Sequence, residues 1–502
     1  MNRLSLAGIF LILTSGISAQ LFFSKNIDID GYSDGGNSIH QTGTGYLITA
    51  TSLCNNNDSE CFTILNTDEA GNVINQVQYQ NFPWWITAGN AHGNIGVALH
   101  EDAGMYFSGS IQNGGPQFDA FLMKTNEQGD SLWMKTYGTD FWEVNGTVIF
   151  SSDTSLMMLN ASSIDEIKYL VWLQQLDLNG NVIWEDFLGE EYKNAINLDI
   201  MRAVNGDIIV NYLTCKYNTP GNPYAMTITR LDPQGNEKWT SRFADFDGLL
   251  SGPTSNIVPL DNGGFVVHYL RDNLFGWYKR PPILIWLDSM GNVTDQYDFS
   301  DFTQLIVTDL IKTSNGLIVG SGYADLRDFD LGIGGWVFAF TQEGEKLWER
   351  YIADLYFPEK FSWLSAIEET DDKGFALVGS IEKSTDFDIW LVKLDSMGCL
   401  KPGCVDSFQV LISSIEVPNP TAATFKVYPN PVGQNYLYLE CHAGNLDTHD
   451  LQIRIADLLG QTMKSQPFES SVDVAGLAKG IYILTVETAE GKKIFVDKVI
   501  RK

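Results

Sequence analysis

The chain holds 502 residues, with 62 Asp and Glu against 32 Lys and Arg and a formal net charge of -30. No basic field exists to gather phosphates, which excludes nucleic acid as a partner. Aromatics at 12%, 46 glycines and few long polar helical runs point to an all-β protein.

Met1 to Ala19 carries Arg3, an apolar run from Leu4 to Leu13, and Gly16, Ser18 and Ala19 before Gln20. A basic start, a short apolar middle and a small residue at the cut predict a secretory signal peptide over 1–19. The run is too short to span a bilayer. No other stretch approaches the roughly 20 apolar residues a membrane helix needs, so no transmembrane segment is expected. Asp28-x-Asp30-Gly31-x-x-Asp34 faintly resembles a calcium loop but lacks the later bidentate Glu, and carboxylates serving a turn explain it as well. No metal and no cofactor is assigned.

Cys54 and Cys61 lie close in sequence, as do Cys399 and Cys404. Each pair is expected to close a short disulfide loop in an oxidising compartment. A zinc site is the rival, but no partner C-x-x-C or nearby His pair accompanies them.

From residue 20 onward a repeat dominates. Turn glycines recur at Gly71, Gly129, Gly180, Gly235, Gly291, Gly344 and Gly398, 51 to 58 residues apart. Four of them have a Trp four residues later: Trp133, Trp184, Trp239 and Trp348. Before each glycine runs a strand such as Trp390–Asp395, and upstream of it a turn and another strand, as in Lys373-Gly374-Phe375. Each unit therefore holds four short strands, a to d, with Asp-, Asn- and Gly-rich turns at a–b and c–d. Units of about fifty residues with four strands each predict a β-propeller over 20–404. The count is seven. The last unit has no strand d of its own, and Leu21 to Ile27 precedes the first strand a, so the N-terminal strand is expected to complete the last blade. An open solenoid is the rival architecture. The repeated tryptophans are expected to pack between blades, because what repeats builds the fold.

Function is expected where the units differ. The b–c and d–a loops are long and variable and carry Trp84, Trp85, Trp142, Trp277, Tyr278, Tyr356 and Trp363. Asp140, Glu143, Glu190, Glu191, Asp245, Asp247, Asp325, Asp328 and Asp330 lie among them. Flat rings interleaved with carboxylates suit a glycan or peptide ligand, the alternative being rings tucked back onto the blades. None of the six histidines belongs to a metal-binding pattern, and no nucleophile elbow or P-loop appears. Carboxylate pairs for glycoside cleavage cannot be recognised from spacing when distant repeats converge. The readings kept are a binding or adhesion module, a secreted polysaccharide-degrading enzyme, and a structural surface component.

Residues 405–424 carry Pro418, Asn419 and Pro420 and read as a linker. Residues 425–502 show short alternating strands near Phe425–Tyr428, Tyr436–Glu440, Leu451–Asp457, Ile481–Glu487 and Lys493–Ile500. These predict a small Ig-like sandwich.

Within this stretch stand Val427-Tyr428-Pro429-Asn430-Pro431, Asp457-Leu458-Leu459-Gly460-Gln461, Lys479-Gly480-Ile481-Tyr482 and a chain end in Lys498-Val499-Ile500-Arg501-Lys502. The pattern resembles the C-terminal sorting domain, type A, of the Bacteroidota type IX secretion system. That resemblance implies Sec export followed by outer-membrane passage, with the secretion machinery as partner of 425–502. It implies a sorting signal that includes Tyr428, Pro429, Asn430, Pro431, Gly460, Gly480, Tyr482 and Lys498. It also implies release or attachment at the cell surface, with no catalysis in the tail. Asp130-Ser131-Leu132, Asp288-Ser289-Met290 and Asp395-Ser396-Met397 are similar to an O-glycosylation sequon of the same bacteria, although Asp and Ser equally serve the c–d turn.

Overall fold

The structure is a computed structural model that describes residues 22–29, 31–54, 59–79, 96–100, 104–112, 117–163, 169–189, 194–215, 225–243, 256–270, 282–299, 305–327, 332–354, 361–383, 386–400, 404, 408–411, 424–433, 435–442, 451–456, 462–488 and 493–501. Among the described residues there is no α-helix, and none is long and apolar enough to cross a membrane. Among the described residues seven sheets follow one another, six of four strands and one of five: 34–79, 96–137, 143–188, 194–243, 257–298, 305–354 with Phe408–Leu411 added at its edge, and 362–394 joined by Phe23–Ile27.

The c–d turn explains the spacing of the repeat. In the third sheet Asp177 Oδ1 accepts the amides of Asn179 and Asn181, and Asn181 Nδ2 donates to Asp177 Oδ2 at 2.8 Å. Gly180 N donates to Asp177 O, and Asp177 N to Asn181 O. The same lock recurs around Asp232 and Asp288. The seven turn glycines sit at φ between +72° and +92°, where a Cβ is strained, and a register shift follows each turn in the sheets for which pairing is described. The motif Asp-x-x-Gly-Asn is thus a self-contained hairpin closure.

Strands b and c are buried on both faces, which is why they read as apolar runs rather than strict alternations. Their side chains pack into layers between consecutive sheets. One layer joins the first and second sheets through Ile64, Phe107 and Phe121. Others join the second to the third through Tyr106 and Met158, the third to the fourth through Leu173 and Val210, and the fourth to the fifth through Ile228 and Val267. A further layer joins the seventh sheet back to the first: Ile39, Ile48 and Leu65 pack with Ala376, Val378, Ile389 and Leu391. The series of sheets is cyclic, which is the propeller arrangement.

The N-terminal strand makes the closure, as expected. Phe23–Ile27 pairs antiparallel with Ile389–Lys393, so the last sheet has strands from both ends of the repeat region. Ser24 Oγ accepts from Trp390 Nε1 at 2.8 Å.

The repeated tryptophans lie between sheets. A Cβ built on Gly180, Gly235, Gly291 or Gly398 would come within 3.0 Å of Trp133, Trp184, Trp239 or Trp348 respectively. Each Trp covers the turn glycine of the following sheet.

The chain divides into two compact units. One holds Met1–Gly322, Trp336–Arg350 and Leu364–Ser407; the other holds Tyr323–Gly335, Tyr351–Trp363 and Phe408–Lys502. Within the second unit, Phe408–Leu411 pairs in parallel with Tyr351–Asp354. The stretch 405–424, read as a linker, therefore contains a strand. Its four residues, Phe-Gln-Val-Leu, are too few to stand out by alternation.

The tail is a two-sheet sandwich. Thr424–Tyr428, Tyr436–His442 and Ser471–Asp473 form one sheet; Thr462–Pro467, Gln452–Ala456, Gly480–Glu487 and Lys493–Arg501 form the other. Val432, Leu437, Leu439, Ile453, Ile455, Leu484 and Val486 fill the space between them. Two of these strands, Thr462–Pro467 and Ser471–Asp473, are absent from the sequence reading. The first is largely exposed and polar, so no apolar stripe marks it.

Candidate functional site

On the a–b and c–d turns, polar groups tie one sheet to the next. Lys135 Nζ donates to Asn181 Oδ1 at 2.8 Å, and Tyr137 Oη to Gly180 O at 2.7 Å. Arg230 Nη1 and Trp239 Nε1 both donate to Ser289 O. Lys312 Nζ reaches Asp261 Oδ1, Ser314 Oγ reaches Glu369 Oε1, and Asp371 N reaches Gln41 Oε1. The uniform face is spent on holding the ring together.

The first strands of the sheets carry the acids that converge on the interior. Asp199 accepts from its neighbour Ile200 N and, one sheet on, from Ile257 N. Asp309 accepts from Leu310 N, Asn256 Nδ2 and, one sheet on, Ile367 N. Glu368 takes Gln41 N at 3.1 Å and lies 3.1 Å from His40 Nδ1. Burial pushes Asp199 up to about 7, and burial with the nearby Asp199 and Glu368 charges does the same to Asp309. These carboxylates strap first strands together through backbone amides, a role that local spacing does not reveal. Sequence reasoning missed Asp199 and Asp309 because their partners lie 58 residues away.

Among the described residues no group of three or more His, Cys, Asp or Glu is placed to hold a metal ion. The calcium-like stretch works as a turn: Gly31 N donates to Asp28 Oδ1, and Ile29 N to Asp34 Oδ2 at 2.6 Å. Asp30 lies outside the described residues. Burial, opposed by hydrogen bonds from Ile29 N and the Ser52 side chain and helped by the Asp28 and Asp388 charges, pushes Asp34 up to about 7.

On the opposite face the loop after Tyr137 is described. Glu143 is fully buried, with Oε1 accepting from Thr139 Oγ1 at 2.7 Å and Ser162 Oγ at 2.9 Å, and Oε2 from Thr139 N. Burial raises its carboxyl despite these bonds. It therefore anchors the loop. The loop carries Trp142, whose ring packs 5.1 Å from that of Phe118 and whose carbonyl accepts from Ser163 N at 2.7 Å. Trp142 is half-buried. Trp363 is also half-buried, in the first strand of the seventh sheet. Trp84, Trp85, Trp277, Tyr278 and Tyr356 lie outside the described residues, as do Glu190, Glu191, Asp245, Asp247, Asp328 and Asp330. Asp325 is bound by Arg327 in a two-pronged contact.

Cys399 and Cys404 form a disulfide, as expected. Cys61 is disulfide-bonded, and the side chain of Cys54 lies outside the described residues.

In the tail, Tyr428, Pro429, Asn430 and Pro431 are exposed at the end of the first strand. The next residue, Val432, is buried and bridges to Arg501, tying this motif to the chain end. Tyr482 is a core residue whose Oη donates to Ala478 O at 2.9 Å, and Gly480 opens its strand. Lys498 pairs with Ile483 in the last strand; its side chain and Gly460 lie outside the described residues.

Residues 426–502 match the family of secretion system C-terminal sorting domains. No curated protein matches the chain. Among solved structures, the extracellular domain of a putative one-component system, BT4673, from B. thetaiotaomicron is similar at 12% identity and TM-score 0.40, over 94% of this chain and 57% of that one. The chain thus spans little more than half the length of that protein. A polysaccharide lyase of family PL25, an ulvan lyase, is similar at 10% identity and TM-score 0.49, over 76% of this chain and 98% of that one. The β-propeller domain of the Trilobed protease from Pyrococcus furiosus, described as having an open velcro topology, is similar at 9% identity and TM-score 0.41, over 72% and 93%. The chain is an all-β, propeller-type protein that ends in a type IX secretion C-terminal sorting domain and is marked by it for export to the cell surface or beyond.

Proposed function

We propose that the exported protein is a binding or adhesion module whose ligand, a glycan or a peptide, is taken on the face of the b–c and d–a loops. The observation that carries this reading is the division of labour between the faces. The turn face is consumed by sheet-to-sheet hydrogen bonds, and the interior acids Asp199 and Asp309 by backbone amides. On the other face a buried Glu143 braces a loop that leaves Trp142 half-open. A rigidly held aromatic ring is the kind of anchor that binding surfaces use.

A glycan array and a peptide array probed with the full chain test this. Retention of a defined ligand class, lost in Trp142→Ala and without cleavage of the ligand, supports the module. Release of shortened product overturns it in favour of a secreted polysaccharide-degrading enzyme. Absence of any retained ligand leaves the structural surface component as the better reading.

A further inference from the structure

The tail buries its apolar side chains in one core, yet three large rings stay outside it. Tyr428, Tyr436 and Tyr438 are 37%, 50% and 43% exposed. They share one face of the three-stranded sheet. Tyr428 stands opposite Tyr438 in register, and Tyr436 lies two residues before Tyr438 on the same strand. The Tyr428 and Tyr438 rings stack at 5.8 Å, Tyr428 Oη donates to Glu440 Oε1 at 2.6 Å, and Lys426 Nζ sits 5.8 Å from the Tyr428 ring centre. The strip is thus pre-ordered before anything binds it.

We propose that this tyrosine face is the surface by which the tail is read, and that its occupant is a protein of the secretion machinery rather than an anionic glycolipid. The proposal rests on the tail's role in export. A sorting domain acts by being recognised, and Tyr is among the residues enriched at the energetic centres of protein interfaces. The charge on the face argues against an anionic glycolipid. Lys426 is matched by Glu440, in register opposite it, and Asp473 lies opposite Tyr436, so no positive excess exists.

The test uses the full chain in a host with type IX secretion, following the share of protein outside the cell. Tyr436→Ser with Tyr438→Ser is expected to lower that share at least tenfold, with the purified variant melting where the parent does. Should the double variant melt lower, Tyr436→Ser alone, at the most exposed ring, decides. Met463→Ser, equally exposed on the other sheet, is expected to export normally. Normal export of the tyrosine variants, while removal of 424–502 blocks export, overturns the tyrosine face alone. Normal export after removal of 424–502 overturns both the export role and this surface. Normal export of the tyrosine variants with weakened retention on lipopolysaccharide assigns the face to a glycolipid, which also overturns the proposal.

Discussion

Phe23 lies across Gly71, so that a Cβ on that glycine would sit 2.8 Å from the Phe23 ring. At Gly180, Gly235, Gly291 and Gly398 this place belongs to a tryptophan of the preceding sheet. Phe23 pairs with Lys393 just as Trp133 pairs with Lys124 and Trp239 with Arg230, each two residues before the turn. Two residues on, Lys25 donates to Asn72 as Lys135 donates to Asn181. The contact that closes the ring is therefore a copy of an ordinary sheet-to-sheet contact, made by residues from the far end of the repeat.

Because this contact also seals an otherwise open sheet edge, losing it is costly. Phe23→Ala is expected to lower unfolding stability by about 2–3 kcal/mol, somewhat under the ~3–5 kcal/mol of a fully buried Phe. Removal of Phe23–Ile27 should cost more, because the paired backbone goes too. Urea denaturation checks both; an unchanged midpoint for the deletion would refute the closure.

The turn glycines are doubly constrained, by φ and by the ring above them. Gly180→Ala meets a φ of +72°, the Tyr137 hydroxyl at 2.8 Å and the Trp133 ring at 3.0 Å. It should destabilise by about 2–4 kcal/mol, combining the left-handed penalty with overpacking. Gly43→Ala, where nothing lies within 4 Å, should be close to neutral. Equal midpoints for the two variants would contradict the packing described.

Asp309 makes a pH-dependent contribution whose sign follows from its raised carboxyl. With a folded value of about 7 against ~3.9 unfolded, the folded state holds a proton between those limits that the unfolded state has released. Stability from this group thus falls as pH rises from about 4 to about 7 and is level above. Asp309→Asn keeps an acceptor for Ile367 N but does not titrate. It is expected to gain on the parent chain as pH rises from 5 to 8, read as the difference in urea midpoints. A difference independent of pH would show that the carboxyl does not titrate there.

The Cys399–Cys404 bridge spans a sequence separation of 5. A loop this short restricts the unfolded chain only modestly, by about 2 kcal/mol on the loop-entropy account. Cys399→Ser with Cys404→Ser should therefore lower the melting temperature by a few degrees without abolishing folding. Failure of this variant to fold would mean that the bridge holds more than its own loop.

Local chemistry was legible and distant pairing was not. The Asp-x-x-Gly-Asn closures, the doubly buried strand runs and the sorting motif all depend on residues within a few positions of one another, so a single sequence displays them. The N-terminal strand was legible by default, since the last unit lacked a fourth strand and only Leu21–Ile27 was unclaimed. The aromatic loop residues were assembled into a candidate face, but of these the structure describes only Trp142 and Trp363. What Asp199 and Asp309 grip, what braces Trp142 through Glu143 and Ser162, and which tail tyrosines share a face were decided by tertiary structure alone. In each case the partner lies on another strand or another sheet. The physical reason is register: one chain position meets another only after the sheets have twisted and closed, and a one-residue slip would send each of these side chains to the opposite face.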